Sequence, residues 1–376
     1  MFKCVDLFSG AGGLSEGFRQ NGFDVLLAND FDSWCEATYK LNHPETKFIS
    51  GPIEDISAGR ILSDLGIKPG ELDCIIGGPP CQAFSVYNHQ RGMHDERSGL
   101  FREYLRLVAG VLPKYVVIEN VPGMNSVEDG IAVKEIKQGL NELGYDVEVS
   151  LLKAEEYGVA QERRRLFFIG NRVQSNIVFP APTHGNGLLP YVTVWDAISD
   201  LPLLANGEGD EVMNYTLPPQ SQYQKVIRKN AQRVFNHVAP TLGEINIERM
   251  KHIPEGGSWR DIPLELLPAG MKRARRSDHT KRYGRLRKEG FASTILTKCD
   301  PHWGAFFHPV QDRVITVREA ARLQCFPDKI RFEGSRVEQY KQVGNAVPVL
   351  LSAAVAKAVH KALSENSFEK ERLYAI

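Results

Sequence analysis

Asp73-Cys74-Ile75-Ile76-Gly77-Gly78-Pro79-Pro80-Cys81-Gln82 places a thiol directly after a short apolar run, two glycines and two prolines. The apolar run predicts a buried strand. The glycines release the chain, and the prolines fix φ, so the backbone around Cys81 has few conformations to lose. A sulfur held that way suits nucleophilic addition once it is ionised; a free thiol has a pKa of about 8.5. The same ten residues taken alone also describe an inert core cysteine. A second apolar run, Tyr115-Val116-Val117-Ile118, stops at Glu119-Asn120-Val121-Pro122-Gly123. If both runs are parallel strands of one sheet, Cys81 and Glu119 share its carboxyl edge, where open α/β sheets hold ligands.

The elements that must position this pair begin at the first residues. Phe2-Lys3-Cys4-Val5-Asp6-Leu7-Phe8 reads as a strand, Ser9-Gly10-Ala11-Gly12-Gly13 as a glycine turn, and Leu14 to Gln20 as the start of a helix. Such a turn lets backbone N–H groups approach a ligand. The dinucleotide fingerprint requires a further glycine three residues after its second one, and that position here is Ser15. Asp30 follows a second strand, Phe23-Asp24-Val25-Leu26-Leu27-Ala28, and an acid there suits a ribose hydroxyl pair. Phe31 beside it is placed to stack on an adenine. The expected ligand is therefore an adenosine without a pyrophosphate.

Six blocks, in order and spanning nearly the whole chain, resemble the DNA (cytosine-5)-methyltransferases of the bacterial type. They are Asp6-Leu7-Phe8-Ser9-Gly10-Ala11-Gly12-Gly13, Gly78-Pro79-Pro80-Cys81-Gln82, Glu119-Asn120-Val121, Gln161-Glu162-Arg163-Arg164-Arg165, Thr316 to Pro327, and Gln342-Val343-Gly344-Asn345-Ala346-Val347-Pro348. The resemblance implies a doubly wound, mostly parallel α/β sheet of the S-adenosylmethionine-dependent type, with a smaller irregular target-recognition domain. It implies transfer of a methyl group from S-adenosylmethionine to carbon 5 of a cytosine swung out of duplex DNA, through a covalent Cys81 adduct. Glu119 would act on ring nitrogen 3, which calls for a raised pKa, and Arg163 and Arg165 would favour the thiolate.

Carried over position by position, Phe8, Gly10, Gly12 and Leu14 line the methionine part. Asp30 takes the ribose, Phe31 stacks, and Ile53, Pro79 and Leu100 complete the lining. Asn345, Ala346 and Val347 close the pocket. Pro52 stands where the family has an acid for the adenine amino group, so Glu54 or Asp55 is left for that contact. Ser85, Gln161, Arg273, Arg276, Tyr283 and Arg285 are the candidate DNA contacts. The loop Ala83 to Ser98 is expected to close over the DNA.

Composition narrows the remaining choices. Lys+Arg 46 balance Asp+Glu 46 over 376 residues, so any nucleic-acid surface must be local. Lys272, Arg273, Arg275, Arg276, Lys281, Arg282, Arg285, Arg287 and Lys288 supply such a cluster, with Tyr283 interleaved. Six cysteines form no C-x-x-C pair, so neither a metal site nor a disulfide framework is indicated. No signal peptide and no membrane-spanning run is read, which fits the cytoplasm. Strand and helix patterns alternate to about residue 183; residues 184–334 are irregular; residues 335–376 return to the first domain, with Leu350, Leu351, Ala354, Val355, Ala358 and Val359 on one apolar stripe. A monomer suffices to extrude one base. A cognate restriction endonuclease, the target sequence and the role in the host stay open. RNA methylation, a catalytically inactive DNA-binding module and a nicotinamide oxidoreductase are the competing readings, the last opposed by Ser15.

Overall fold

The computed structural model describes residues 1–80, 99–125, 130–173 and 176–374, with side chains to 366. The chain separates into two compact units. The first comprises Met1–Ala154, Arg164–Pro182 and Val349–Ile376; the second comprises Glu155–Arg163 and Thr183–Pro348.

The first unit is built on a seven-stranded sheet. Its strands are β1 (Phe2–Leu7), β2 (Phe23–Asp30), β3 (Lys47–Ser50), β4 (Cys74–Gly77), β5 (Tyr115–Asn120), β6 (Asp146–Lys153) and β7 (Arg164–Asn171). The order is β3-β2-β1-β4-β5-β7-β6, with β1 to β5 parallel and β7 antiparallel to both neighbours. The connecting helices are α1 (Gly13–Arg19), α2 (Ser33–Asn42), α3 (Ala58–Leu65), α4 (Leu100–Val111) and α5 (Ile131–Glu142). Every residue of β4 and β5 is buried, as strands covered on both faces require. Val5, Leu7, Ile75, Val116 and Ile118 meet Tyr104, Leu107, Val108 and Ile136 in one apolar core. Alternation sends Asp6 to the opposite face, beneath α1.

A last helix, α11 (Val349–Tyr374), closes that face. Of the predicted stripe, Leu351, Val355 and Val359 are buried, while Leu350, Ala354 and Ala358 are half-buried. Gly17 lets α11 come close: a Cβ there would stand 2.4 Å from Ser352 Oγ and 2.6 Å from the Ala353 amide nitrogen. Ser352 Oγ donates to the Leu14 carbonyl at 2.7 Å.

The second unit holds an antiparallel pair, β8 (Gly209–Met213) and β9 (Val234–Val238), and a short parallel pair, β10 (Gly284–Arg285) and β11 (Ala305–Phe307). Its helices are α6 (Val194–Ile198), α7 (Gln222–Ile227), α8 (Glu244–Lys251), α9 (Val317–Leu323) and α10 (Arg336–Asn345). Thr316 and Glu319 form a reciprocal capping box on α9. The arginines of this stretch turn inward. Arg313 pairs with Glu319 at 2.6 Å, and Arg322 pairs with Asp328 at 2.7 Å and with Asp200, all fully buried.

By length and composition alone, Arg336–Asn366 is apolar enough to span a bilayer, which corrects the expectation that no segment is. The stretch is interrupted at Pro348, and 56% of its most apolar window is buried within the protein, as for a core helix.

Candidate active site

Strand order reverses between β1 and β4, and the loops that follow these two strands flank the crevice such a reversal creates. Leu7 pairs with Gly77, and Gly77 with Ile118, so Phe8, Gly78 and Glu119 leave the sheet at one edge. Glu119 stands against the Gly78 backbone; a Cβ on Gly78 would lie 3.0 Å from Glu119 Oε2. Arg165, entering on the neighbouring β7, donates from Nε to Glu119 Oε1 at 2.5 Å. Burial lowers the Arg165 pKa, and the Glu119 carboxylate opposes that shift. Asn120 Nδ2 donates to the Pro79 carbonyl at 3.3 Å and Oδ1 accepts from the Val121 amide at 2.8 Å, tying the β4 exit to the β5 exit. Pro79 and Pro80 carry the chain along this edge; Cys81, Ser85 and the loop to Ser98 lie outside the described residues.

The glycine turn after β1 is conformationally special. Phe8 has φ 59°, Gly10 φ 54° and Gly12 φ 83°. For Phe8 this left-handed backbone is strained, a feature that clusters at ligand sites. A Cβ on Gly12 would lie 3.1 Å from Tyr39 and 3.2 Å from His43, whereas one on Gly10 would meet nothing within 4 Å. The turn is held from the side by Asp30, whose Oδ2 accepts the Gly10 amide at 2.8 Å and whose Oδ1 accepts the Asp32 amide at 2.9 Å. Burial raises the Asp30 pKa against these two bonds. Phe31 next to it is 70% exposed, an apolar ring left facing outward. Leu14 and Ile53 are buried, and Leu100 opens α4 at the same edge. Glu54 and Asp55 are both exposed in the short turn after β3.

Asp6 was absent from the sequence reading as a site residue. It is fully buried, its Oδ2 accepts from Ser15 Oγ at 2.5 Å, and Ser15 bonds Tyr39 OH at 2.7 Å. Asp6 Oδ1 has no hydrogen-bond partner among the described residues. Desolvation pushes its carboxyl up to about 7, with nearby Asp30 adding to the rise. The signal was a charged residue inside an otherwise apolar strand. Ser15 is thus the partner that this acid requires.

In the second unit Gln161 and Arg163 share one hydrogen-bonded cluster, while Tyr283 and Arg285 stand apart from it. Arg163 is buried, and its guanidinium donates to the carbonyls of Ile295, Gly344 and Ala346 at 2.8 to 3.1 Å. Gln161 Nε2 donates to Leu323 O and Gln324 Oε1, both at 3.0 Å, and Gln324 Nε2 donates on to Val343 O and Ala346 O. These bonds hold the carbonyls of Val343, Gly344 and Ala346, on either side of Asn345. Arg163 and Arg165, two positions apart and assigned one task in the sequence reading, therefore have different neighbours. Arg273 and Arg276 are exposed. Tyr283 and Arg285 are buried: Tyr283 OH bonds His302 at 2.6 Å, and Arg285 donates to Met250, Ile253 and His308 carbonyls and to Asp312.

Residues 2–361 match the family described as C-5 cytosine-specific DNA methylase. The type II methyltransferase M.AgeI of Thalassovita gelatinovora is 36% identical over 96% of this chain and 100% of its own length. M.DdeI of Desulfomicrobium norvegicum is 35% identical over 95% and 88% respectively. Among solved structures, a putative DNA modification methyltransferase encoded in an E. coli prophage superposes with a TM-score of 0.77 at 26% identity, covering 97% of this chain and 100% of that one. Spodoptera frugiperda DNMT2 shares the fold at TM-score 0.61 and 16% identity, over 96% and 99%. The sheet with its reversed order and carboxyl-edge site is thus that of a DNA methyltransferase. The chain belongs to the C-5 cytosine-specific DNA methylase family.

Proposed function

We propose that this chain methylates carbon 5 of cytosine at a specific site in duplex DNA, using S-adenosylmethionine and a Cys81 adduct. The observation that carries the reading is the shared sheet edge: the glycine turn with Asp30 and Phe31, the Gly78-Pro79-Pro80 exit, and Glu119 held by Arg165. The residues fit S-adenosylmethionine. Asp30 offers a carboxylate for a ribose and Phe31 an open ring face; Gly10 leaves room, and buried Ser9 Oγ lacks a partner among the described residues. When bound, this cofactor supplies an electrophilic methyl group.

The chain's own residues do the rest. Cytosine carbon 5 is a weak nucleophile, and addition of the Cys81 thiolate to carbon 6 makes it enamine-like. Glu119, oriented by Arg165, hydrogen-bonds or protonates nitrogen 3 as charge builds there. After methyl transfer a base removes the carbon 5 proton and Cys81 leaves. The base must first be extruded from the duplex, at a cost of a few kcal/mol, which phosphate contacts offset. A restriction endonuclease of the same specificity would be the natural partner of such an enzyme.

Bisulfite sequencing of DNA from cells expressing the protein tests the reading directly. One methylated sequence motif is expected, and none with Cys81→Ser, which should still bind DNA. Methylation of RNA but not of duplex DNA, or full activity in Cys81→Ser, would overturn it.

A further inference from the structure

Among the described residues of the first unit, Asp6 is the one acid with no exposure at all. It stands on β1 three residues before Ser9, where the glycine turn begins, and a chain of contacts leads from it to that turn. Ser15 Oγ of α1 donates to Asp6 Oδ2 at 2.5 Å and bonds Tyr39 OH of α2 at 2.7 Å. The Tyr39 ring closes on Gly12, where a Cβ would lie 3.1 Å from it, and packs against His43 with ring centroids 4.9 Å apart. Asp6 Oδ1 is left without a hydrogen-bond partner among the described residues.

Among the same residues no cation pairs with this carboxyl. Arg19 of α1 acts on it from a distance, its guanidinium bonded to Glu45, the Val25 carbonyl and Thr46. From β2 comes a like charge, Asp30, which itself holds the Gly10 amide at 2.8 Å. Cys4 of β1, facing Cys74 of β4, and Tyr39 and Tyr104 of α2 and α4 also feel Asp6, and burial holds Cys4, Tyr39 and Tyr104 neutral. α11 meets α1 through uncharged Ser352 and Ala353. Desolvation therefore keeps a proton on Asp6 up to about 7. A carboxyl so poorly solvated responds strongly to a charge brought near it, because little water screens the interaction.

The cofactor of the proposed reaction brings such a charge to the glycine turn, and its product does not. S-adenosylmethionine carries a sulfonium; loss of the methyl group leaves the neutral thioether of S-adenosylhomocysteine. The adenine, ribose and amino-acid parts are common to both.

We propose that Asp6 is a specificity-determining residue that separates the cofactor from its spent form: the carboxyl O–H releases its proton to solvent when the sulfonium is bound and keeps it when the thioether is bound. The inference rests on the proposed function and deepens it at the cofactor site. Ionised Asp6 favours the cation, so this part of the preference for cofactor over product grows as pH rises and is lost as pH falls.

Calorimetric titration of the full chain without DNA, so that no methyl group is transferred, gives the affinities for both ligands between pH 5.5 and pH 8 in the parent and in Asp6→Asn. Their ratio cancels the shared ribose contact at Asp30. In the parent the ratio of S-adenosylmethionine to S-adenosylhomocysteine affinity is expected to rise about tenfold across this range, the equivalent of one pKa unit on Asp6. In Asp6→Asn it should stay within twofold. Parent titrations at pH 7 in buffers of different ionisation enthalpy count the protons directly, and need no variant to fold. S-adenosylmethionine should release roughly 0.4 proton more than S-adenosylhomocysteine. A parental ratio that is flat with pH, a ratio that rises equally in Asp6→Asn, or equal proton counts for the two ligands would overturn the role of Asp6 and leave the proposed function standing. A parent that binds neither ligand would overturn the cofactor reading itself.

Discussion

Asp6 makes a quantitative prediction about unit 1. Its folded carboxyl titrates near 7, against about 3.9 in an unfolded chain. Between these values the folded protein retains a proton that the unfolded chain has released. Raising the pH through this window therefore favours unfolding, by about 1.4 kcal/mol per unit and about 4 kcal/mol in all. Asp6→Asn removes the titration and leaves a carbonyl oxygen to accept from Ser15 Oγ. Urea unfolding of both proteins between pH 4 and pH 8 isolates the effect, because other titrating groups largely cancel in the difference. The variant should gain on the parent steadily across the window and level off above pH 7. Asp30, which shares the environment, would be relieved in the same direction. A difference that stays flat with pH would refute the assignment of a protonated carboxyl to this strand.

The site and the second unit give two further tests. Glu119→Gln preserves size but not the capacity to move a proton, so methyl transfer should fall about 10²- to 10⁴-fold while calorimetric affinity for S-adenosylmethionine stays within twofold; a rate within threefold of the parent would remove Glu119 from the chemistry. Arg322→Gln leaves Asp200 and Asp328 buried with weakened compensation, and about 3–5 kcal/mol of stability should be lost in urea unfolding. A loss below about 1 kcal/mol would show that Arg228, Arg318 and Tyr215, which also contact these carboxylates, suffice.

How much was legible follows from the range of the forces involved. The parallel strands were readable because strands buried on both faces leave unbroken apolar runs, as in Cys74-Ile75-Ile76 and Tyr115 to Ile118. The antiparallel entry of β7 was not, since an apolar run carries no direction. Charge clustering marks the basic segment along the chain. It could not say that Arg285 turns into a nest of carbonyls while Arg282 stays outside, because spacing along an irregular chain sets no face. The arginines around α9 look solvent-facing in sequence; their partner Asp200 lies 122 residues from Arg322, beyond any local pattern. The left-handed backbone of Phe8 was equally hidden, since no glycine marks it.

The seating of α11 on α1 has a consequence for biogenesis. The bond from Ser352 to Leu14 joins positions 338 residues apart. At roughly 5–20 residues per second, a ribosome needs about 17–70 s to make the chain between them. Throughout that interval the face that α11 will cover has no lid of its own chain. Nascent protein should therefore depend on chaperones until the last helix emerges, and premature termination upstream of Val349 should send the product to proteolysis rather than to a shorter active form.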